Sequence, residues 1–260
     1  QKIELHTGVA ISFPRSPMVA ANIGWDLAAS TDGRFTLGLG SQIRAHNEKR
    51  FSVPWTAPAP RMREYIQAVR AIWAAWKGNG KLAYEGKHYR FTLMTPNFVP
   101  ENYDGPTPRI GLAAVGPFML KVAAEESDGA KLHVFCTRKY LENKVMPILS
   151  EGLAKTGRAR EKFEISGGGF VVTGKDDAAV RKLFDWVRYR VAFYGSTPAY
   201  WPVFEEHGLG DLGRKLNAMT KAGQWNEIAA EVPDDVVHLF AAVGRHDQIA
   251  KAIEARFGGL

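Results

Sequence analysis

One junction in the sequence combines the residue types that bind a phosphate group. In "RIGLAAVGPFML" an apolar run from Arg109 to Ala114 stops at Gly116-Pro117, and a helical pattern begins at once. Gly116 removes a side chain, and Pro117 suits the first helical position, where no amide is needed. The next free amides and the positive end of the helix dipole would then form an anion site. The alternative is an ordinary Gly-Pro turn before a helix.

A pair of glycines ends another apolar run. The segment "LGLGSQ" places Gly38 and Gly40 at the end of a predicted strand, where the missing side chains would let a flat ring lie against the backbone. The segment is not a dinucleotide-binding fingerprint, because Ile43 stands where the third glycine would be. The glycines therefore favour a ligand near this strand without identifying it.

Single polar side chains are weaker candidates for catalysis. His133, near the carboxyl end of the predicted strand "KLHVF", either donates a proton, contacts a ring or packs in the core. Arg15 in "FPRSP" either binds an anionic group of a substrate or forms an exposed ion pair. His46 and His88 lack metal-ligand spacing, and Cys136, the one cysteine, excludes an internal disulfide and a cysteine-based zinc site. We therefore expect no metal, and redox chemistry would need a cofactor.

The elements that would position these residues alternate between strand and helix. Five apolar runs, each followed by a helix, favour parallel pairing with right-handed crossovers and so an α/β fold, either a barrel or an open sheet. A hairpin is expected around Glu85-Gly86. The predicted strands span residues 3–10, 35–40, 109–114, 130–135 and 163–172. Helices are predicted over 17–30, along the apolar stripe from Met62 to Trp76, from Pro117, and over 139–155.

The pattern changes after Asp176 to helices only, at roughly 176–194, 198–207 and 211–222, with two more from 226 and 246. Aromatic residues at helical spacing usually pack between helices, but they also line substrate pockets and subunit interfaces. This tail contains Phe184, Trp186, Tyr189, Phe193, Tyr194, Tyr200, Trp201, Phe204 and Trp225.

Composition narrows the class of protein. A chain of 260 residues with 45% hydrophobic and 23% charged content is ample for a globular core. The longest nearly uncharged stretch, 110–120, is shorter than the roughly 20 residues of a membrane span, and no secretory pattern opens the chain, so we expect a cytoplasmic protein. The net charge of +7 is spread among interleaved acids and bases, which favours a solvated surface over a nucleic-acid track and is compatible with a small anionic ligand.

Six blocks in this order and spacing resemble the bacterial luciferase-like monooxygenase family. A further segment, "AFYGSTPAYWPVFEEHG", resembles actinobacterial members that use the deazaflavin coenzyme F420. The resemblance implies one (β/α)8 TIM-barrel-type domain over residues 1–260, usually as a homodimer, with strands and helices in 1–175 and a helical extension in 176–260. The six blocks are "HTGVAISFPRSPMVAA", "RFTLGLGSQ", "RMREYIQAVRAIW", "YEGKHYRF", "GLAAVGP" and "SDG".

The resemblance also implies where a cofactor binds. Its phosphate tail would lie on the amides after the strand ending at Ala114, and its ring on a bulge after the first strand, with a non-proline cis peptide at Gly8-Val9. The polar edge of the ring would be met near Ser41 and Gln42. Coenzyme F420 is the expected cofactor, and FMN is the alternative. The implied cofactor-binding residues are Thr7, Gly8, Val9, Ser41, Gln42, Val115, Gly116, Pro117, Phe118 and Met119.

The same resemblance places two strands and the main catalytic acid or histidine upstream of Gln1, and an eighth strand beyond Leu260. Five of eight strands would form an incomplete barrel, with open edges at 3–10 and 163–172 that further chain or a partner fills. Three functions remain open. They are an F420-dependent oxidoreductase or flavin monooxygenase acting on a small molecule, a non-catalytic flavin-binding relative and, on composition alone, a basic polyanion binder.

Overall fold

A computed structural model describes residues 3–101 and 103–260 of the chain, and their contacts divide the chain into two units. The first unit comprises residues 1–131 and 148–166, and the second comprises 132–147 and 167–260. Each unit is described separately below. The interpretation of the chain as one domain stays a prediction.

The elements are numbered along the chain. The strands are β1 (Leu5–His6), β2 (Ala10–Ile11), β3 (Phe35–Gly40), β4 (Tyr84–Glu85), β5 (Arg90–Phe91), β6 (Arg109–Ala114), β7 (Gly129–Leu132), β8 (Glu164–Gly167), β9 (Phe170–Gly174) and β10 (Ala241–Arg245). The helices are α1 (Pro17–Ser30), α2 (Arg44–Lys49), α3 (Pro58–Trp76), α4 (Pro117–Glu126), α5 (Arg138–Tyr140), α6 (Met146–Lys155), α7 (Asp177–Gly195), α8 (Trp201–Glu205), α9 (Gly210–Lys221), α10 (Asp234–Phe240) and α11 (Ile249–Phe257).

The sheet of the first unit is a half-barrel with the order β1-β3-β6-β7-β8, and β2 also pairs with β3. Strands β1, β2 and β6 all run parallel to β3, whose six residues are buried. The α/β class and the edge positions of the first and last segments are confirmed. At the β1 edge, the side chains of Ile3 and Leu5 are 64% and 48% exposed, as expected of an apolar strand with one free side.

Local sequence signals place the helices of this unit. Ser16 caps α1 by accepting a hydrogen bond from the amide of Met18, and Pro17 occupies the first turn. Helix α3 buries its apolar stripe, and Gly78, with a positive φ, follows its end. The predicted hairpin is confirmed, since β4 and β5 pair antiparallel. Among the described residues, no helix has the length and apolar character needed to cross a membrane.

Two predicted strands are interrupted. The run 3–10 forms β1 and β2 with three residues between them, and the run 163–172 forms β8 and β9, which belong to different sheets. Gly167 and Gly168, with φ of 88° and 90°, turn the chain between β8 and β9. A continuous apolar run in the sequence does not reveal such breaks, because they show only in the pairing of the strands.

Three other expectations were wrong in detail. The tail is not purely helical, because Ala241–Arg245 forms β10 and pairs in parallel with β9. The alanines of "LFAAVGR" favour a helix locally, and only the neighbouring strand supplies the hydrogen bonds that make this segment extended. The predicted strand 130–135 ends at Leu132. The segment between residues 40 and 58, for which no helix was predicted, contains the helix α2. The segment Leu141–Val145 between α5 and α6 is a π-helix.

The second unit has an aromatic core. Phe135 stacks on Phe240 with ring centroids 4.5 Å apart, and Phe204 meets both rings edge-on. Packing is therefore the role of many tail aromatics, as expected from their spacing. Two tryptophans differ, because Trp186 and Trp225 are 52% and 42% exposed.

The close packing at Gly38 gives the first prediction. A Cβ at this residue would lie 1.9 Å from the carbonyl oxygen of Thr7, so Gly38→Ala must displace the backbone. We expect the free energy of unfolding in urea to fall by about 1–3 kcal/mol, as in other overpacked cores. The control is Gly111→Ala on the neighbouring strand, where a Cβ would make ordinary contacts of 3.6 Å with Thr36. Equal stability of the two variants would contradict the prediction.

Candidate functional site

The first unit forms a bulge in the segment that pairs with β3 at the edge of its sheet. His6 pairs with Thr36 and Ala10 pairs with Leu39, so the first segment advances by four residues while β3 advances by three. The extra residue lies within Thr7 to Val9, and the Gly8-Val9 peptide bond is cis, as expected. The bulge therefore lies where the resemblance predicted it.

The two glycines of β3 accommodate this bulge. A Cβ at Gly38 would overlap the carbonyl of Thr7, and a Cβ at Gly40 would lie 2.6 Å from Cγ2 of Val9. The Thr7 hydroxyl also donates a hydrogen bond of 2.8 Å to the carbonyl of Gly38. The expectation that these glycines leave room for a ring directly is thus corrected, because the chain itself fills the space.

The loop after β3 is held in place by the side chain of Asn47, which is fully buried. Its amide nitrogen donates to the carbonyls of Ser41 and Ile43 at 2.9 and 3.0 Å. Gln42 has a φ of 58°, and its side-chain oxygen accepts a hydrogen bond from the amide of Ile43 at 2.9 Å. Ser41 and Gln42 are therefore held in a defined conformation, half-buried, directly after Gly40.

The amino terminus of α4 is open. Gly116 is the N-cap in an extended conformation, it provides no side-chain cap, and a Cβ there would meet nothing within 4 Å. Pro117 occupies the first turn, and the amides at the start of a helix have no partner within it. Phe118 is 77% exposed, while Met119 is buried beneath the turn. The arrangement leaves backbone donors and the helix dipole available to an anion.

The structure brings these segments to one edge of the sheet. Strands β3 and β6 are parallel neighbours, so Ser41 to Gln42 and Val115 to Met119, which follow them, lie at the same end of the sheet. Gly40 lies between the bulge and β6, since a Cβ there would be 3.6 Å from Cβ of Ala113. The bulge of Thr7 to Val9 lies beside Leu37 and Gly38, just before that end of β3.

Lys131 is a candidate that the sequence analysis missed. It lies on β7, and its ammonium group is 3.9 Å from the position a Cβ of Gly8 would take. Its side chain is half-buried, and no carboxylate of the described residues lies within 4.0 Å of its Nζ. A lysine in the strand "GAKL" has no distinguishing sequence signal, because its importance comes from the bulge of a distant segment.

A group of acidic residues lies around the amino ends of the strands. Glu4, His6 and Glu164 place ligand atoms within 4.8 Å of one another. Arg109 lies among them, 3.6 Å from Glu4 and 3.2 Å from Glu164. The guanidinium of Arg109 provides a positive charge between the two carboxylates. The cluster is therefore explained as an ion-pair network.

Arg15 is exposed and its guanidinium donates a hydrogen bond of 2.6 Å to the carbonyl of Ile11. This contact directs the side chain back along its own loop. The role of Arg15 toward a substrate stays a prediction.

His133 lies in the second unit, just past the end of β7. Its ring stacks on Tyr200 at 4.7 Å and meets Tyr194 edge-on at 4.6 Å, and its Nδ1 accepts a hydrogen bond of 3.0 Å from the amide of Phe135. Burial, together with the positive charge of Arg190, lowers the pKa of His133 to about 4. The imidazole is therefore neutral near pH 7, with Nε2 as its donor.

The comparisons with known proteins agree with one another on the family. The model of the family described as luciferase-like monooxygenase matches residues 1–259. An uncharacterized protein of Mycobacterium tuberculosis is 46% identical over 259 residues, which cover 100% of this chain and 76% of that protein.

Two further relatives are named for a reaction. The 5,10-methylenetetrahydromethanopterin reductase of Archaeoglobus fulgidus is 29% identical over 259 residues, which cover 96% of this chain and 72% of that protein. The structure of the coenzyme F420 dependent tetrahydromethanopterin reductase from Methanopyrus kandleri matches with a TM-score of 0.77 at 22% identity. It covers 98% of this chain and 74% of that one, and it supports the barrel-type fold.

The lowered pKa of His133 gives a prediction for stability. A histidine with a pKa of about 4 when folded and about 6.5 when unfolded binds more protons in the unfolded state between these values. The free energy of unfolding should therefore increase as the pH rises from 4 to 6.5 and lose this dependence above that window. The matched variant His133→Gln should show a smaller slope in urea unfolding. An NMR titration of His133 with a pKa of 6.5 or higher would contradict the prediction.

Proposed function

The chain belongs to the luciferase-like monooxygenase family, and we propose that it is an oxidoreductase that transfers a hydride between coenzyme F420 and a small organic substrate. The observation that carries the proposal is the open amino terminus of α4, located at the same end of the sheet as the bulge. The relatives named as methanopterin reductases, one of them described as coenzyme F420 dependent, support the choice of reaction.

The residues present fit a phosphate-bearing cofactor with a flat ring. At Gly116 nothing within 4 Å occupies the place of a side chain, so an oxyanion can approach the backbone amides of Phe118 and Met119. At Gly8, the atom closest to the place of a side chain is the ammonium of Lys131, at 3.9 Å. A ring resting on this bulge would therefore have a positive charge beneath it.

The bound cofactor would supply the hydride chemistry, and the protein supplies placement and electrostatics. The amides after Gly116 would bind the phosphate, and the bulge from Thr7 to Val9 would support one face of the ring. Ser41 and Gln42, held by Asn47, would meet its polar edge. Lys131 would stabilise negative charge on the reduced ring by a Coulomb attraction that the half-buried position strengthens.

His133 is proposed to act through Nε2–H as a neutral hydrogen-bond donor. A proton donor must be charged or acidic at the working pH, and the low pKa of His133 disfavours the imidazolium. We therefore propose His133 as a hydrogen-bond donor or a ring contact and not as a proton donor. Arg15 stays the proposed contact for an anionic substrate group. The homodimer and the cytoplasmic location are also predictions.

An FMN-dependent monooxygenase is the second candidate function, because the family is described as luciferase-like monooxygenase. Both cofactors carry a phosphate and a flat ring, so the α4 site suits both. The net charge of +7 favours F420, whose side chain has a polyacidic extension.

The test of the proposed function is a pair of titrations followed by an assay. The protein is titrated with F420 and with FMN while the visible absorbance and fluorescence of each are recorded, and the complex is then assayed with ketones, alcohols and reduced pterins. We expect tighter binding of F420 and a hydride transfer visible as bleaching or recovery of its absorbance. Tighter binding of FMN with oxygen consumption would establish the second candidate instead, and binding without turnover would indicate a non-catalytic relative.

Substitution of Gly116 tests the phosphate site. Gly116→Val should weaken cofactor binding by about 1–3 kcal/mol, because the branched side chain blocks the approach of an anion to charge-assisted amide donors. Gly116→Ala, with a smaller side chain, should have a smaller effect. Because the surrounding space is open, the free energy of unfolding of both variants without cofactor should stay close to that of the wild type, apart from the N-cap preference for glycine. Unchanged affinity in the valine variant would exclude the site.

Lys131 is tested by removing its charge. Lys131→Met should weaken binding of the reduced cofactor by about tenfold and lower its reduction potential, because an attraction to the reduced ring is lost. Lys131→Arg should retain most of the effect of the charge. Lys121→Met is the matched control, since Lys121 lies on the exposed side of α4 and pairs with Glu151. A potential that is the same in the methionine variant as in the wild type would reject this role.

A further inference from the structure

One helix of the second unit carries an arginine without an acidic partner. Arg181 and Arg188 on α7 pair with Asp185 and Asp234. Arg190, two residues further along the same helix, takes part in none of the ion pairs found at 4.0 Å or less among the described residues. Its positive charge is therefore not neutralised by the part of the chain that the structure describes.

Aromatic rings surround this guanidinium. Its central carbon lies 5.0 Å from the ring centroid of Tyr194, 5.4 Å from that of Trp186 and 5.5 Å from that of Phe193. One terminal nitrogen, Nη2, donates a hydrogen bond of 2.7 Å to the hydroxyl of Tyr194, while Nε is shielded from solvent and has no acceptor. The rings stabilise the cation through their faces, but they leave its in-plane hydrogen-bonding capacity largely unused.

Neighbouring groups add donors and no negative charge. The Tyr194 hydroxyl accepts from Arg190, so its own proton is free for another acceptor. The neutral ring of His133 lies against Tyr194 and Tyr200, and it has a donor at Nε2 because Nδ1 accepts from a backbone amide. The cluster thus combines one cation with several N–H and O–H donors, and no carboxylate in the described part of the chain pairs with that cation at 4.0 Å or less.

The outer side of the cluster is apolar and accessible. Trp186 is 52% exposed and Trp225 is 42% exposed, and the ring of Trp225 lies 6.0 Å from that of Phe193. Exposed tryptophans beside an arginine favour a ligand with a flat apolar body and one oxyanion.

We propose that Arg190, Tyr194 and His133 bind the acid group of a small organic acid, whose flat apolar part packs on Trp186 and Trp225. The proposal concerns residues of the second unit alone and does not depend on the proposed function. Carboxylate and phosphate share the required geometry, since both accept paired hydrogen bonds from a guanidinium. The acidic side chain of the cofactor has the same chemistry and is the competing source of the anion.

The test measures binding of simple probes by calorimetry, with no cofactor and no turnover. Benzoate and inorganic phosphate are titrated into the whole protein, and benzamide serves as the uncharged probe of the same shape as benzoate. We expect benzoate to bind, and benzamide to bind at least about tenfold more weakly because it lacks the charge. Equal affinities for benzoate and benzamide, or no binding of either, would overturn the proposal.

Variants locate the probe. Arg190→Gln should weaken benzoate binding by about tenfold or more, and Arg190→Lys should restore part of it, because lysine keeps the charge but not the planar fork. The matched control is Lys182→Gln on the exposed side of the same helix, which should bind benzoate as the wild type does. If Arg190→Gln does not fold, Tyr194→Phe keeps the ring and removes the hydroxyl, and it should weaken benzoate binding several-fold. Wild-type affinity in folded variants of both residues would overturn the proposal.

Titration of F420 separates the two sources of the anion. If the anion is a free organic acid, Arg190→Gln leaves F420 affinity unchanged, and benzoate binds equally well in the presence of F420. If Arg190→Gln weakens F420 binding and F420 displaces benzoate, the proposal of a free organic acid is wrong. Failure of the proposed function is distinguishable, because it would appear as the absence of F420 binding while the benzoate titrations stay unaffected.

Discussion

The contact between the bulge and β3 is the constraint on which the candidate cofactor site depends. The carbonyl of Thr7 and the side chain of Val9 occupy the places where side chains of residues 38 and 40 would stand. Only glycine permits this approach, and the Thr7 hydroxyl adds a hydrogen bond to the carbonyl of Gly38. The extra residue of the bulge is absorbed here, and the segment then returns to parallel pairing as β2. The bulge can therefore lie directly against the part of β3 that leads to Ser41 and Gln42.

Glycines at the two junctions serve different physical purposes. Gly38 and Gly40 are required because protein atoms fill the space beside them, whereas the space beside Gly116 is empty within 4 Å. Gly116 lies at a helix start with no side-chain cap, and the space where its side chain would be is open. Packing in the helix or in the sheet therefore does not explain this glycine. This difference makes the start of α4 the stronger indicator of a ligand.

The sequence predicted the α/β class, the strands β3 and β6, the hairpin, the boundaries of α1 and the start of α4, because each has a local signal in apolar period, caps or turns. It did not predict β10, since the alanines of that segment favour a helix until β9 supplies a partner. The site segments were predicted from the helix start and from the family resemblance. Lys131 was missed because no local pattern marks it. Its position beneath Gly8 is a tertiary fact, and so is the filling of the space at Gly38 and Gly40 by the chain itself.

The second unit shows how surroundings decide what a basic residue can do. Arg188 and Arg190 are two residues apart on α7, and a helix turns by roughly 200° over that interval, so they face different neighbours. Arg188 meets Asp185 and Asp234 and completes an ion-pair network, while Arg190 meets Trp186, Phe193 and Tyr194. The quadrupole of an aromatic ring attracts a cation more weakly than the negative charge of a carboxylate does. The same charge that lowers the pKa of His133 is thereby left available to an anion, and the neutral imidazole beside it is left as a donor. Binding of a negatively charged ligand requires a positive charge and hydrogen-bond donors that lie close together, and this cluster has both.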